Sequence, residues 1–339
     1  MNIRTEEELE DRLSEPTEAV IDTLVRLPGD ILFLGVAGKM GPSMARMARR
    51  ASDLAGTRRR VVGVARFTDG GDAQLQSWGV ETIRCDLLDE AAVVRLPDAP
   101  NIVYLAGRKF GSTGDEPLTW AMNCVVPAIA CQRYRSSRIV ALSTGNVYGL
   151  VSVTGEGSRE TDPLAPVGEY AMSCLGRERV FQHFSRTHGT PTALIRLNYA
   201  CDLRYGVLVD LARSVWEGRP VDLRMGHFNT IWQGDANALT LMALGQTASP
   251  AWIVNLTGPE NLSVREVCEH FGRAMNRPVE FTGHEEPTAL LSDCSLSLRA
   301  LGSPRVSAAT LIEWVAEWTM SGGRQLGKPT HFESRDGRF

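Results

Sequence analysis

Two short stretches carry residue types that can do chemistry. In GVAGKMG, Gly35, Gly38 and Gly41 recur every third residue, ending an apolar run and opening the helical stretch PSMARMARRA. Glycines so placed let the backbone turn tightly and approach a pyrophosphate, which then sits on the amides and positive dipole of the helix start. Lys39 and Met40 lie inside this loop, and the Lys39 ammonium is a second candidate for the phosphates. The other stretch is EYAMSCLGRE, residues 169–178, where the phenol of Tyr170 is a weak acid or, ionised, a base. A free phenol titrates at about 10, so only about one in a thousand is ionised at neutral pH without a cation beside it. Four residues on stands Cys174, a thiol that donates weakly and stays neutral when buried. Arg177, seven residues on and on the same helical face, is the nearest cation by sequence. Taken alone, Tyr170 reads as an ordinary half-buried tyrosine.

These groups need elements to hold them, and the apolar pattern provides them. ILFLGV (31–36), VVGVA (61–65), NIVYLA (101–106), RIVALS (138–143) and TALIRL (192–197) read as buried strands, separated by segments long enough for crossover helices. That alternation predicts an α/β chain with a Rossmann-type, doubly wound parallel sheet over residues 30–197. Residues 1–29 read as a helical extension, with Thr5 and Glu8 as a capping box and Thr17 capping a second helix before the Pro28-Gly29 break. After Asn198 the rhythm turns irregular, with breaks at Gly218-Arg219-Pro220, Gly258-Pro259 and Gly302-Ser303-Pro304. Residues 198–339 are therefore expected to form mainly a smaller mixed domain, partly interleaved with the sheet.

The end of the second strand bears on cofactor choice. An NAD-selective site usually has an acidic residue there for the ribose hydroxyls. This chain has Ala65 and then Arg66, whose guanidinium suits the 2′-phosphate of NADP. The expected cofactor is NADP or NAD, with NADP favoured; Arg66 as a solvated loop residue is the competing reading.

Composition narrows the partners. The net charge is −4, from 36 basic and 40 acidic residues, which leaves no field to gather nucleic acid or anionic lipid and points to a small molecule. Seven cysteines form an odd set without a CxxC pair or histidines at zinc-ligand spacing, so free thiols and no metal are expected. MNIRTEEELEDRL is acidic where a signal peptide would be basic, and no segment reaches 18 uninterrupted apolar residues. The expectation is a cytoplasmic protein that does not enter a membrane.

With these pieces placed, residues from about 30 to 320 resemble the extended short-chain dehydrogenase/reductase family, the NAD-dependent epimerase/dehydratase group. GVAGKMG resembles its glycine loop, RCDLLD its adenine contact, YLAG (104–107) the strand lining the cofactor, and WAMNCVVPAIA its helix asparagine. STGNVYG (143–149) is similar to its active-site strand and ETDPLAPVGEYAMS (160–173) to the approach to its tyrosine, with IRLN, IWQGDANAL and NLTGPENLSVREV following in the family's order.

The resemblance implies roles, with residues 198–339 serving mainly as the substrate-binding domain. Asp86, Leu87, Leu105, Ala106, Gly107 and Asn123 would join the glycine loop, Arg66 and Tyr170 at the cofactor. Tyr170 would be the general acid/base, with Thr144 in the hydroxyl role and Ser143 beside it. Hydride leaves a carbon only as its hydroxyl loses a proton, so a proton acceptor must reach that same oxygen. Arg108, Asn146, Asn198 and His227 would face a carbohydrate substrate, His227 reading equally as a surface loop residue, and a homodimer would form through the helices after Ala106 and Glu169. Three departures matter. The family lysine after the tyrosine is Cys174; the Asp-Glu pair of its dehydratases is Gly145 and Asn146; and GHFNT (226–230) has no arginine to grip a pyrophosphate. Dehydration is accordingly discounted, and oxidation, reduction or epimerisation of a sugar, sugar acid or sugar nucleotide is expected. For the missing lysine, three accounts stand: a replacement cation, from Arg177 or from Arg108 and Lys109 just after the fourth strand; a preference for reduction; or a non-catalytic dinucleotide-binding regulator or scaffold.

Overall fold

Aliphatic runs too apolar to face water on either side build a sheet covered on both faces. In the computed structural model, which describes residues 3–68, 70–109 and 111–337, the strands are β1 (Ile31–Leu34), β2 (Val61–Ala65), β3 (Glu81–Arg84), β4 (Asn101–Tyr104), β5 (Arg138–Thr144), β6 (Thr192–Leu197) and β7 (Trp252–Leu256). They form one sheet in the order β7-β6-β5-β4-β1-β2-β3, and every pairing is parallel. Leu34 is in register with both Val64 and Tyr104, and Thr144 with Leu197, so the carboxyl ends of the central strands finish side by side. The order reverses at β1, between β2 and β4, and a crevice outside those strand ends is where such sheets bind ligands.

Alternate side chains of each strand feed opposite faces. Ile31 and Phe33 enter a core with α2 (Glu18–Arg26), α3 (Gly41–Leu54) and α7 (Gln233–Met242), through Leu24, Met44, Ala48 and Leu239. Leu32 and Leu34 enter the other, with α4 (Val126–Arg133) and α5 (Gly168–His188), through Val126 and Phe181. A third core joins α6 (Val207–Trp216), α8 (Val264–Met275) and α9 (Ala308–Met320), and Leu9 and Leu13 of α1 (Glu6–Leu13) are part of it. The capping box of Thr5 and Glu8 is formed, and Thr17 caps α2 by accepting from Val20 N at 3.1 Å. The extension packs on α3 and α7, and Asn237 Nδ2 donates to Leu13 O at 3.1 Å.

Two sheet strands are absent from the sequence reading. β3, ETIR, is an edge strand with no fully buried residue, so it shows no apolar run. β7, WIVNL, belongs to the half that reads as irregular and returns to pair with β6. After α9 the chain runs back over α6 as an irregular tail. Thr330 donates from its N and Oγ1 to Asp210 Oδ2 at 2.8 and 2.7 Å, Phe332 is buried 6.1 Å from Phe228, and Arg335 holds Thr288. Among the described residues no helix is long and apolar enough to cross a membrane, and no cluster of His, Cys, Asp and Glu is placed to hold a metal ion.

Candidate active site

The glycine loop closes the crevice at the sheet's reversal. Gly35 adopts φ +86°, and a Cβ there would lie 2.7 Å from the backbone of Ala106. A Cβ on Gly41 would lie 2.0 Å from Val36 O, so glycine lets the start of α3 fold against the end of β1. Gly38 is different: a Cβ there meets only Gly35 O, at 3.5 Å, and Gly38 lines the space itself. The resulting cleft of about 290 Å³ is lined by Gly35, Gly38, Arg66, Asp86, Leu87, Leu105, Ala106 and Gly107. Backbone cleared of side chains at Gly35 and Gly38 and an apolar strip from Leu87 to Ala106 fit a nucleoside diphosphate. Arg66 is exposed at its rim, with no carboxylate at the end of β2.

A second cavity, of about 260 Å³, adjoins the first at Gly38 and Leu105. Met40, Gly41, Ser143, Thr144, Asn146, Tyr170 and Asn198 line it, together with Lys39, Lys109, Tyr199, Tyr205 and Thr330. Thr144 ends β5; its Oγ1 donates to Asn146 Oδ1 at 3.1 Å and accepts from Asn146 N at 3.2 Å. Tyr170, in the first turn of α5, is hydrogen-bonded to Thr144. Burial raises the phenol's pKa above that of free tyrosine, and Cys174 adds to this, while Arg177 and the Thr144 hydrogen bond draw it partly back. The phenol is therefore protonated at neutral pH. Cys174 is fully buried among Val147, Tyr148 and Leu175, and burial pushes its thiol up as well.

The three basic side chains around this tyrosine differ in what holds them. Arg177 is buried and lines neither cavity: Nη1 donates to Leu142 O at 2.9 Å and Nη2 to Asn123 Oδ1. Lys109 faces the cavity, its Nζ 6.0 Å from the Tyr170 ring centroid and donating to Thr330 O at 3.1 Å. Burial lowers its pKa to about 8, against the pull of Asp210. Lys39 turns away from the phosphate side of its loop, donating to Ala200 O at 2.8 Å and lying 4.1 Å over the Tyr205 ring.

Several of the sequence candidates are tied up elsewhere. Ser143 Oγ donates to Glu178 Oε1 at 2.6 Å, and Glu178 forms a fully buried ion pair with Arg196 at 2.8 Å. Asn123 lines neither cavity; it accepts from Arg108 N at 2.9 Å and donates to Ser173 Oγ at 2.9 Å, fixing the loop after β4 against α5. Arg108 pairs with Asp115 at 3.0 Å within that same loop rather than facing the cavity. His227 lies outside both cavities, on a short strand, His227–Phe228, that pairs with Leu262–Ser263. Asn198 lines the cavity while its amide donates to Asn229 Oδ1 at 2.8 Å. Sequence reasoning missed Tyr199, Tyr205 and Thr330. The two tyrosines of NYACDLRYG follow a recognised motif and offered a signal; Thr330 offered none.

Known proteins share the chain's sequence pattern and its fold. The model of the NAD dependent epimerase/dehydratase family matches residues 31–201. A dTDP-glucose 4,6-dehydratase of Streptomyces niveus is 28% identical over 323 residues, covering 85% of this chain and 92% of that protein. Among solved structures, UDP-glucuronic acid 4-epimerase from Bacillus cereus in complex with NAD superposes with a TM-score of 0.69 at 19% identity, over 86% of this chain and 98% of that one. The dTDP-glucose 4,6-dehydratase DesIV from Streptomyces venezuelae, with NAD bound, gives 0.71 at 20% identity, over 85% and 96%. At such identities the structural likeness speaks to the fold alone.

Proposed function

This chain belongs to the NAD dependent epimerase/dehydratase family, and from that premise we propose that it is a nicotinamide-dinucleotide-dependent oxidoreductase or epimerase acting at a hydroxyl or ketone of a sugar. One observation carries the reading: Tyr170 and Thr144 share a cavity that meets the glycine-loop cleft at Gly38 and Leu105. The dinucleotide, when bound, supplies the hydride acceptor or donor. Tyr170 holds the proton that must leave or reach the reacting oxygen, and Thr144 shares a hydrogen bond with that phenol. Tyr170 is protonated at neutral pH, as a free phenol is, and burial opposes its ionisation, so the chain alone presents the proton that reduction of a ketone takes up.

The relatives' names include dehydratases, but Gly145 and Asn146 follow Thr144 here, and neither takes or gives a proton as a carboxyl group does. Redox or epimerisation without loss of water is the reaction we assign. The exposed guanidinium of Arg66 at the rim of the cleft supports acceptance of the 2′-phosphate of NADP alongside NAD. Trp120, Val125 and Met172 are exposed apolar side chains on the packed pair formed by α5 and the helical segment before α4, which supports a homodimer through that face. A buried neutral thiol at 174 favours a second reading, a non-catalytic dinucleotide-binding regulator.

Calorimetric titration with NADPH and NADH, followed by a sugar screen on wild type and Tyr170→Phe, separates the two. The enzyme reading expects turnover to fall about a hundredfold or more in the variant with cofactor affinity kept. Turnover equal to wild type would remove Tyr170 from the mechanism. Binding without turnover on any sugar would support the regulator.

A further inference from the structure

A phenol that gives up its proton near neutral pH needs a positive charge beside it, and Cys174, buried and neutral, is not one. Arg177 draws the phenol's pKa partly back, but from behind the cavity wall, where its guanidinium bridges Leu142 O at the end of β5 to Asn123 ahead of α4 and does not face a bound ligand. Lys109 is on the open side. It shares the cavity with Tyr170, and its Nζ stands 6.0 Å from the ring centroid.

We propose that Lys109, entering from the loop after β4 and held by the C-terminal tail, is the positioning cation for Tyr170 and the bound nicotinamide, replacing from another element the charge missing at position 174. This rests on the redox reading of the cavity given above. The hold is specific: Lys109 Nζ donates to Thr330 O at 3.1 Å, and Thr330 is fixed by Asp210 through both its N and its Oγ1. Lys109 therefore owes its place to three distant segments, the loop after β4, α6 and the tail.

The groups facing Lys109 set its charge. Asp210 of α6 favours the ammonium, as does Glu333 of the tail, while Lys39 of the glycine loop disfavours it; the thiol of Cys174 and the phenol of Tyr170, both on α5 and neutral, add no charge. Burial outweighs them, and the pKa falls to about 8. Lys109 is thus a cation at pH 7 and becomes neutral as the pH rises through about 8. Hydride transfer requires the nicotinamide to lie against the carbon whose oxygen Tyr170 serves, so a charged Lys109 disfavours the cationic oxidised ring relative to the neutral reduced one. That preference is present below pH 8 and lost above it.

The experiment is to measure dissociation constants of NAD⁺ and NADH between pH 6.5 and 9.5 for wild type, Lys109→Met and Lys109→Arg. In wild type the ratio of the NAD⁺ to the NADH constant should fall about tenfold through pH 8, the size expected for loss of one like-charge repulsion at a partly screened site. Lys109→Met should hold the high-pH ratio throughout, and Lys109→Arg the low-pH ratio. An unchanged profile in Lys109→Met overturns the proposal. So does an equal weakening of both ligands at every pH, which would make Lys109 a structural prop only. A wild type that binds neither form defeats the redox reading itself, and a wild type that binds both with a flat ratio defeats only the role of Lys109.

Discussion

The cleft along the glycine loop and the cavity at Tyr170 adjoin at two residues, yet they are built in opposite ways. The cleft is backbone: Gly35 and Gly41 exclude side chains so that β1, α3 and the strand end at Ala106 can close on one another, and Gly38 leaves the floor open. The cavity is side chains, gathered from the glycine loop, the ends of β4, β5 and β6, the first turn of α5, the start of α6 and the tail. A region whose use lies in being empty is broken by adding atoms. One whose use lies in its side chains is broken by removing them.

The largest test of that contrast lies under the cavity. Glu178 and Arg196, 0% and 2% exposed, pair at 2.8 Å, and Ser143 and Tyr148 complete the network. Glu178→Gln leaves a guanidinium buried without its counter-charge, which costs about 3–5 kcal/mol. Urea unfolding should show it, and a Glu178→Leu/Arg196→Met double variant should recover most of the loss, because an apolar pair leaves no charge unmet. A single-variant cost below about 1 kcal/mol would mean that this network does not hold the cavity floor.

In the cleft, addition is the test. Gly41→Ala puts a methyl 2.0 Å from Val36 O, and overpacking of that kind costs about 1–3 kcal/mol. Both thermal stability and dinucleotide affinity should fall. Gly38→Ala has room against the backbone, its nearest neighbour being 3.5 Å away, so stability should stay within about 0.5 kcal/mol. Affinity alone should drop, because the methyl enters the space the ligand needs. Equal stability losses in the two variants would erase the distinction between a packing glycine and a clearance glycine.

The same contrast explains what was legible in the sequence. Strands β1, β2, β4, β5 and β6 announce themselves as aliphatic runs, and the glycine loop is local, so spacing alone exposes it. β3 is hidden because an edge strand such as ETIR buries no residue fully, and β7 because its five residues sit among breaks. In the cavity, Tyr170 and Thr144 come from motifs, whereas the direction of a long side chain is decided by its surroundings. Lys39 reads as a phosphate partner from its place in the loop, yet it points to Ala200 and Tyr205, beside Asp202. Thr330 is more than two hundred residues from the lysine it holds, and a tail without periodicity carries no sign of where it docks.

The smallest effect is expected where position in a motif and position in space part company. His227 stands in GHFNT, just ahead of the IWQGD segment, and by resemblance would face the substrate. Its strand instead pairs with Leu262–Ser263, with Phe228 buried against Phe332 of the tail, and the imidazole lies outside both cavities. Its Nδ1 is buried without a hydrogen-bond partner among the described residues, so removing the ring deletes no bond to that nitrogen. His227→Ala should therefore leave stability within about 0.5 kcal/mol and the KM for any sugar that turns over within about threefold. A tenfold rise in KM with kcat unchanged would mean that substrate reaches past Asn229 to this strand, and the cavity at Tyr170 would then be one end of a longer site rather than the whole of it.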